Sequence, residues 1–413
     1  MPAESLLSKV KNNLAVYYPL LTVDELQNGA LLFRDELIKS LSNQPSSLPC
    51  ILNPVSKNEI KPGAGIAVSI GGSYGYASKF IIDHHKNIRF LNRNSFALPI
   101  KTTAEDLFHL IARNIFTLVP NKNFNLPIGI GLAYALKPKL VDKFLDGELL
   151  YTAKGREIKG LVGKMVGQSF HKFLKENYGL DTTVVVANDA ICLLVGDPDC
   201  DLVGVVGTGL NFAYWDKRQS IAPLKLGDLP GFAQKDVAIN IEAKNFDKIP
   251  GTKYRDIIDK NSADRGYSLA EKEVAGAYLY QLFNAGSKNI VSSHMPILSN
   301  SDELNSILTN TFIYPKNMTP SQIGRAKDFA DHIFRKSAQI VAIEICGILQ
   351  KLGKTSGVIP IVMDGGLFWK AKNYPALITE NCHLIFPKVT PSFNRLFGSS
   401  RRGIAILARN GII

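Results

Sequence analysis

The sequence has no apolar run that approaches the roughly 18 residues a membrane-spanning helix needs. Residues 1–20 mix charged and apolar side chains too evenly for a secretory signal. Cysteines are few; the five are scattered without CxxC spacing, so no zinc site is indicated. Neither a GxSxG motif nor a Cys/His arrangement points to acyl transfer. These absences favour a protein of the reducing cytoplasm with no membrane span and no metal-ligand motif.

Positive charge, by contrast, is in excess. Lys and Arg total 48 against 36 Asp and Glu, which gives a net charge of +12. That excess favours a polyanionic partner or an anionic substrate such as a nucleotide. Because no long Lys/Arg block and no basic stretch interleaved with aromatics appears, a solvated basic surface is the simpler interpretation. A nucleic-acid-binding protein is an alternative. Retention of DNA only at low salt would instead indicate nonspecific attraction to the basic surface.

Length and hydrophobic periodicity predict an α/β protein with two lobes. The chain has 413 residues, of which 46% are hydrophobic, enough for two or three domains with ample core. Helical spacing and short apolar runs alternate along it, as in α/β proteins. Helices are predicted at 23–42, 103–118, 163–180, 268–285 and 322–352, strands at 65–70, 79–83, 88–91, 127–136, 183–188 and 358–369, and a β-hairpin with a Gly-Thr-Gly turn at 201–215.

Three glycine-rich turns follow apolar strands: IGGS (70–73), VGTGLN (206–211) and FGSSRRG (397–403). One such turn is more often only a bend, whereas three in one chain begin to describe a clamp for a triphosphate. Gly71 and Gly72 allow the backbone to adopt positive φ and to approach another group closely, so that their N–H groups can bind a phosphate. The last turn opens a final helix with its positive end available to an anion. The first two are predicted to be equivalent turns of two similarly folded lobes.

Three carboxylates are candidates for chemistry. Asp189 lies where the predicted strand TVVVAN ends and a helix begins, a position at which ligands gather in open α/β folds. It could accept a proton from a hydroxyl that attacks phosphorus, or it could simply cap the helix. Taken alone, Glu242 and Glu271 are interpreted as solvated acids or helix-dipole partners.

In order and spacing, these segments resemble the hexokinase family of sugar kinases from about residue 24 to residue 410. Eight segments in sequence carry the resemblance, although any one of them would be weak. They are IGGS, YTAKGREIKG (151–160), VVVANDA (184–190), VVGTGLNFAYW (205–215), INIEAKNF (239–246), LAEKEVAGAYL (269–279), FRKSAQIVAIEICGILQKL (334–352), and VMDGGLFW (362–369) with FGSSRRGIA (397–405).

The resemblance implies a two-lobed actin-like ATPase (ribonuclease H-like) fold with a cleft between a small and a large domain. It divides the chain into a small domain at 62–187 and a large domain at 1–61 and 188–413. It further implies ATP-dependent phosphorylation of a glucose-like hexose at the 6-hydroxyl with Mg²⁺. The partners would be hexose and ATP rather than nucleic acid, and the protein would be a cytoplasmic monomer or homodimer.

The resemblance also assigns roles to individual residues. Asp189 matches the general base, and Lys154 matches a residue that reaches the sugar or the transferring phosphoryl group. The residues that match sugar ligands are Lys154, Asn188, Asn211, Glu242 and Glu271. The phosphate turns match at Gly71, Gly72, Ser73, Gly207, Thr208 and Gly209, and the adenosine site matches at Asp364, Gly365, Gly398 and Ser399.

Several positions depart from the family pattern. Ser69 stands where the family's first loop has Asp, and Tyr74 and Tyr76 replace the Asn and Arg that follow it. The Ser-Phe-Pro sugar loop appears as Ala135-Leu136-Lys137-Pro138, and Ala153 stands at the Thr before Lys154. The Trp and Gly after the first Glu become Ala243 and Lys244. The survival of five convergent polar groups favours an active sugar kinase, with a catalytically weak sugar sensor as the alternative.

Overall fold

Two β-sheets of related topology, one of five strands and one of six, form the centres of the two halves of the molecule. The computed structural model describes residues 14–57, 59–119, 124–141, 144–152, 156–227, 229 and 234–410. The first sheet has the order β10-β6-β2-β3-β4 and the second has the order β1-β13-β12-β11-β14-β15. The remaining strands form the pairs β5-β9 and β7-β8.

The strands are short and mostly buried. Their bounds are β1 Ile51–Asn53, β2 Gly63–Ile70, β3 Tyr74–Ile82, β4 Ile88–Ala97, β5 Lys101–Thr103, β6 Ile128–Leu132, β7 Ala135–Val141, β8 Phe144–Tyr151, β9 Glu157–Lys159, β10 Val184–Asn188, β11 Leu202–Val206, β12 Leu210–Lys217, β13 Asp236–Asn240, β14 Gly357–Asp364 and β15 Val389–Asn394.

Helices cover both sheets and begin at residues with suitable side chains. Thr22, Thr103 and Thr319 each accept a hydrogen bond from a first-turn N–H at a helix start. The helices are α1 Val23–Leu41, α2 Ala104–Leu118, α3 Val166–Tyr178, α4 Asp189–Gly196, α5 Pro223–Leu226, α6 Lys253–Lys260, α7 Leu269–Val274, α8 Leu279–Ile290, α9 Ser301–Leu308, α10 Pro320–Lys351, α11 Gly366–Lys370, α12 Tyr374–Ile385 and α13 Ser400–Asn410. No helix of the described residues is long and apolar enough to cross a lipid bilayer.

The two sheets repeat one topology, which confirms the prediction that the first two glycine turns are equivalent. In the first sheet, β2, β3 and β4 form an antiparallel meander, and β6 and β10 extend it in parallel beyond β2. In the second sheet, β11, β12 and β13 form the meander, and β14 and β15 extend it in parallel beyond β11. The turns at 71–73 and 207–209 therefore occupy the same place in their sheets.

Two helices, α4 and α13, lie between the sheets: α13 packs on the first sheet, α4 packs mainly on the second, and the two helices pack against each other. One apolar cluster joins Ala67 of the first sheet, Val203 of the second, Ile191 of α4 and Ile404 of α13. The helices approach so closely that a Cβ added at Gly403 would lie 1.6 Å from the carbonyl oxygen of Cys192. The two sheets are thus connected through this pair of helices.

A carboxyl group is buried in the long helix α10. Glu344 is fully buried, and neither of its side-chain oxygens has a hydrogen-bond partner among the residues that the structure describes. Burial therefore raises the pKa of Glu344 well above its ordinary value. The protonated form is favoured in the folded protein, while the unfolded chain ionises near the ordinary pKa of about 4.3. Stability is consequently lost as the pH rises above that value.

Replacing Glu344 with Gln should remove this pH dependence. We expect the variant to gain free energy of unfolding relative to the parent by up to about 1.4 kcal/mol per pH unit as the pH rises above about 5. Urea unfolding at pH 5 and pH 8 measures the difference. Glu344→Leu should show the same trend, because it also lacks the titrating group. If each variant differed from the parent by the same free energy of unfolding at pH 5 and at pH 8, the raised pKa of Glu344 would be contradicted.

The single strand predicted at 127–136 is interrupted at residues 133–134 and divides into β6 and the start of β7, which belong to different sheets. Two further predicted elements, both near the second glycine turn, were wrong in extent. The helix predicted at 268–285 is interrupted between Val274 and Leu279, because the N–H groups of Gly276 and Ala277 bond to the carbonyls of Gly207 and Thr208. The strand predicted at 358–369 ends at Asp364 and is followed by α11, and its first residues are exposed rather than buried. Both differences arise around the second glycine turn and its neighbours.

Candidate active site

One cavity of about 790 Å³ brings the three glycine turns together with Asp189. The turns that line it belong to both lobes and lie at the carboxyl ends of parallel strands, where ligands collect in α/β folds. The predicted residues on its wall are Gly71, Gly72, Ser73, Asp189, Gly207, Thr208, Gly209, Asp364, Gly365, Gly398 and Ser399. The predicted phosphate and adenosine residues therefore share one site.

The first two glycine turns touch across the cleft. A Cβ added at Gly72 would lie 3.1 Å from Cβ of Thr208, and one added at Gly207 would lie 3.1 Å from Cα of Gly365. Gly71 and Gly72 do not have positive φ, so only the second of the two properties that glycine allows, close approach, is used here. Close approach, rather than a left-handed backbone, is what requires glycine here. Left-handed backbone occurs instead at Gly365, with φ of 113°, and Gly398, with φ of 81°.

Asn188 caps helix α4 and leaves Asp189 to face the cavity. The Asn188 Oδ1 accepts a hydrogen bond from the Ala190 N–H at 2.9 Å, and its Nδ2 donates to the Tyr134 carbonyl at 3.1 Å. The alternative that Asp189 is itself the N-cap was therefore wrong, because Asp189 is the first residue of α4. One oxygen of Asp189, Oδ1, accepts from the Ala190 N–H at 2.9 Å. The carboxylate lies at the positive end of a helix, where its charged form is favoured.

A cluster of amide and carboxyl groups lies beside the second glycine turn. The Nδ2 of Asn240 donates to Oε1 of Glu242 at 2.9 Å, and the Nδ2 of Asn211 donates to Oδ1 of Asn240 at 2.7 Å. Oδ1 of Asn211 accepts from the Phe212 N–H at 2.8 Å. Glu242 has a left-handed backbone with φ of 56° and is 2% exposed, so it is not the solvated acid that its local sequence indicated.

Glu271 joins this cluster from helix α7. Its Oε1 accepts from the N–H of Leu210 at 3.0 Å, directly after the second glycine turn. It is 1% exposed, so the solvated-acid interpretation was wrong for it as well. Burial, followed by the charge of Glu271, raises the pKa of the Tyr278 hydroxyl. The turn at 207–209 is therefore held by the Glu271 carboxylate on one side and by the backbone N–H groups of Gly276 and Ala277 on the other.

Lys244 and Tyr151 cover the other side of Glu242. The Nζ of Lys244 lies 2.9 Å from Oε2 of Glu242, and the Tyr151 hydroxyl donates to the same oxygen at 3.4 Å. Burial opposes the charge on Lys244, but Glu242 and Glu271 outweigh it and raise the pKa of the ammonium. Tyr151 comes from β8 and the other residues come from the second half of the chain. The contact therefore joins the two lobes at the predicted sugar site.

Asp364 connects the end of β14 to the third glycine turn. Its Oδ1 accepts from the Gly365 N–H at 2.8 Å, and its Oδ2 accepts from the Ser399 hydroxyl. Ser399 has a left-handed backbone with φ of 52°, which this hydrogen bond helps to hold. The predicted adenosine residues are thus linked to one another.

Arginines on the cavity wall make it attractive to anions. The guanidinium of Arg93 stacks 4.2 Å from the ring of Tyr76, and Arg401 donates to the Ser78 hydroxyl at 3.0 Å. Burial, followed by the charge of Arg93, lowers the pKa of Arg401. Two like charges held near each other favour an anion between or beside them. Neither arginine was predicted, because their proximity depends on the Arg401 side chain, at the start of α13, reaching Ser78 of β3 and the Phe90 ring of β4.

Not every sequence prediction for the site falls on the residues that the structure describes. Lys154 lies outside the described residues, as does the adjoining Ala153. Among the described residues, no group of three or more His, Cys, Asp and Glu side chains could hold a metal ion. The sequence did not identify three members of the cluster: Asn240, Tyr151 and Lys244. Asn240 could have been predicted, because it is the last residue of β13 and lies two residues before Glu242.

Comparison with known proteins gives a consistent family. One family model described as hexokinase matches residues 18–197, and a second with the same description matches residues 202–286 and 287–409. The chain is 25% identical over 420 residues to the hexokinase of Emericella nidulans, covering 90% of this chain and 83% of that protein. It is 25% identical over 384 residues to hexokinase-1 of Schizosaccharomyces pombe, covering 81% and 76%.

Solved structures agree at the level of the fold. The hexokinase from Schistosoma mansoni complexed with glucose has a TM-score of 0.86 at 19% identity and covers 99% of this chain and 100% of that chain. A ROK family glucokinase from Streptomyces griseus, in complex with glucose and AMPPNP, has a TM-score of 0.52 at 17% identity and covers 84% and 100%. The fold is therefore that of the two-lobed α/β sugar kinases of the actin-like ATPase class.

The chain belongs to the hexokinase family. It is a hexokinase-type kinase, a transferase that phosphorylates sugars, as the resemblance of its motifs implied.

Proposed function

We propose that this chain transfers a phosphoryl group from ATP to the 6-hydroxyl of a glucose-like hexose, with Asp189 as the general base. The observation that carries the proposal is that Asp189 lines the same cavity as glycine turns from both lobes. A carboxylate in that place is within reach of a hydroxyl that attacks the terminal phosphate. We further propose that the protein acts in the cytoplasm as a monomer or homodimer.

The phosphate and adenosine residues line the cavity, whereas Asn188, Asn211, Glu242 and Glu271 are not among its lining residues. Backbone N–H groups of the turns at 71–73 and 207–209 would receive the phosphates, and the segment from Gly398 to Ser399, with Asp364 and Gly365, would receive adenosine. The sugar would be bound by Asn188, Asn211, Glu242 and Glu271, together with Lys154. We place the small domain at 62–187 and the large domain at 1–61 and 188–413, so that the sugar lies where they meet.

The cavity fits a nucleotide that carries its own Mg²⁺. Asp189, Asp364 and the Ser69, Ser73 and Thr208 hydroxyls supply oxygen atoms to the wall, which are the ligand type that Mg²⁺ prefers. Bound Mg²⁺ would offset negative charge on the phosphates. Because the described residues form no acidic cluster for a metal, waters and phosphate oxygens would fill most of its coordination shell.

An ADP-release assay over a panel of hexoses, with and without Mg²⁺, tests the proposal. We expect hexose-dependent ADP release in the presence of Mg²⁺ and none with 6-deoxyglucose, which lacks the accepting hydroxyl. Hexose binding in calorimetry without any ADP release would instead identify a sugar sensor. Failure of every hexose both to bind and to release ADP would contradict the proposal.

Replacing Ser69 with Asp should strengthen the binding of Mg-ATP. Ser69 lines the cavity at the end of β2, so a carboxylate there could hold a water of the Mg²⁺ shell. We expect the Mg²⁺ concentration needed for half-maximal ATP binding in calorimetry to fall at least about tenfold, in line with one added hydrogen bond to a charged group, which is worth about 1.5 kcal/mol or more. The variant Ser69→Asn, which has similar size without the charge, is the control. Equal Mg²⁺ dependence in all three proteins would show that another group already fills this role.

A further inference from the structure

Lys244 is a buried cation inside the predicted sugar site. It is 6% exposed, and its Nζ lies 2.9 Å from Oε2 of Glu242 and 4.7 Å from the centre of the Tyr151 ring. Within the described parts of the chain, Glu242 is its ion-pair partner at salt-bridge distance. Separating the two would leave an ammonium buried without its counter-ion, which is strongly unfavourable.

Protein donors occupy both oxygens of Glu242. Oε1 accepts from Nδ2 of Asn240 at 2.9 Å and lies 3.5 Å from Nδ2 of Asn211, and Oε2 receives Lys244 and the Tyr151 hydroxyl. A carboxylate offers about four lone-pair sites. The donors from the described residues alone match that capacity, so a sugar hydroxyl that binds Glu242 has to displace one of them.

The donor on Oε2 that costs most to displace is Lys244. Its contact is charge-assisted and short, whereas the neutral Tyr151 hydroxyl lies at the long limit of a hydrogen bond. Both partners of the ion pair are less than a tenth exposed, so water screens their attraction only weakly. The ion pair with Lys244 thus competes with a sugar hydroxyl for Oε2 of Glu242.

We propose that Lys244 is a specificity-determining residue that competes with the hexose for Glu242 and so keeps hexose affinity low. This inference rests on the proposed function, because it takes Glu242 as a sugar ligand. It predicts that affinity in the parent depends little on the sugar hydroxyl that Glu242 would otherwise bind. Removing the ammonium should restore that dependence.

The test compares the parent with Lys244→Gly and Lys244→Met by calorimetric titration of glucose without nucleotide. We expect both variants to bind glucose at least about tenfold more tightly, because one charge-assisted competitor is removed. Deoxyglucoses that each lack one ring hydroxyl should then be discriminated more strongly than in the parent. Lys351→Met is the matched control, since Lys351 is a half-buried lysine paired with the buried Asp216 at the far end of β12.

Thermal unfolding confirms that each variant is folded and supplies a second measurement. Glucose should raise the melting temperature of both Lys244 variants more than that of the parent or of Lys351→Met. Parent binding that is equal to or tighter than that of both Lys244 variants would overturn the inference while leaving the proposed function intact. Absence of glucose binding in the parent and in every variant would overturn the proposed function and the inference with it.

Discussion

Replacing Asp189 with Asn is expected to lower kcat for hexose phosphorylation by about 10²–10⁴-fold, the usual contribution of a general base. The side chain keeps its size and can still accept from the Ala190 N–H, so helix α4 should begin as it does now. Binding of ATP and hexose should change only modestly, because the glycine turns and the amide-carboxyl cluster are untouched. Single-turnover kinetics, with separate calorimetric binding of each substrate, makes the distinction.

The matched control for this substitution is Asp197→Asn. Asp197 is also an Asp next to α4, but it follows the last residue of that helix and does not line the cavity. It should retain parental kcat. If Asp189→Asn keeps kcat within about threefold of the parent, Asp189 is not the base. A loss of substrate binding that accounts for the whole effect would contradict the assignment equally.

Replacing Gly403 with Ala should destabilise the protein by about 3 kcal/mol, near the upper end of typical overpacking costs. The added Cβ would lie 1.6 Å from the Cys192 carbonyl oxygen, which is backbone and cannot rotate away as a side chain can. Helices α4 and α13 would have to separate, and both carry cavity residues: Asp189 begins α4, and Ser400 and Arg401 begin α13. Urea unfolding measures the stability, and ATP affinity measures the site.

Gly324→Ala controls for the change from glycine to alanine. Gly324 lies in helix α10, and no atom would lie within 4 Å of an added Cβ. Alanine should therefore raise the free energy of unfolding by up to about 1 kcal/mol through helix propensity. Equal and small effects at both positions would show that α4 and α13 are not packed as described.

The sequence predicted the parts of the fold that depend on local pattern. Alternating apolar residues before each glycine turn located β2 and β11, and the change from a strand pattern to a helix pattern located Asp189 at the start of α4. The ordered motifs of the hexokinase family then related these local features to one cavity. Those predictions depend on residues that are neighbours in the chain, which is why they could be made.

Long-range contacts could not be predicted in the same way. The break between α7 and α8 exists because Gly276 and Ala277 bond to a turn that lies nearly seventy residues earlier. Burial of Glu242 depends on its distant partners Tyr151 and Asn211, and burial of Glu271 depends on Leu210, while locally each Glu has the pattern of a surface acid. Glu344 likewise lies in a regular helical pattern, and its burial follows only from the helices packed around α10.

The central claim is that residues of both lobes direct phosphoryl transfer from ATP to the 6-hydroxyl of a hexose. The most direct measurement is ³¹P NMR of the products formed from ATP, Mg²⁺ and glucose by the parent and by Asp189→Asn. The account predicts that the parent forms ADP and glucose 6-phosphate in equal amounts, and that Asp189→Asn forms neither in the same time. Inorganic phosphate in place of the sugar phosphate, phosphorylation at another hydroxyl, or equal product from both proteins would contradict it.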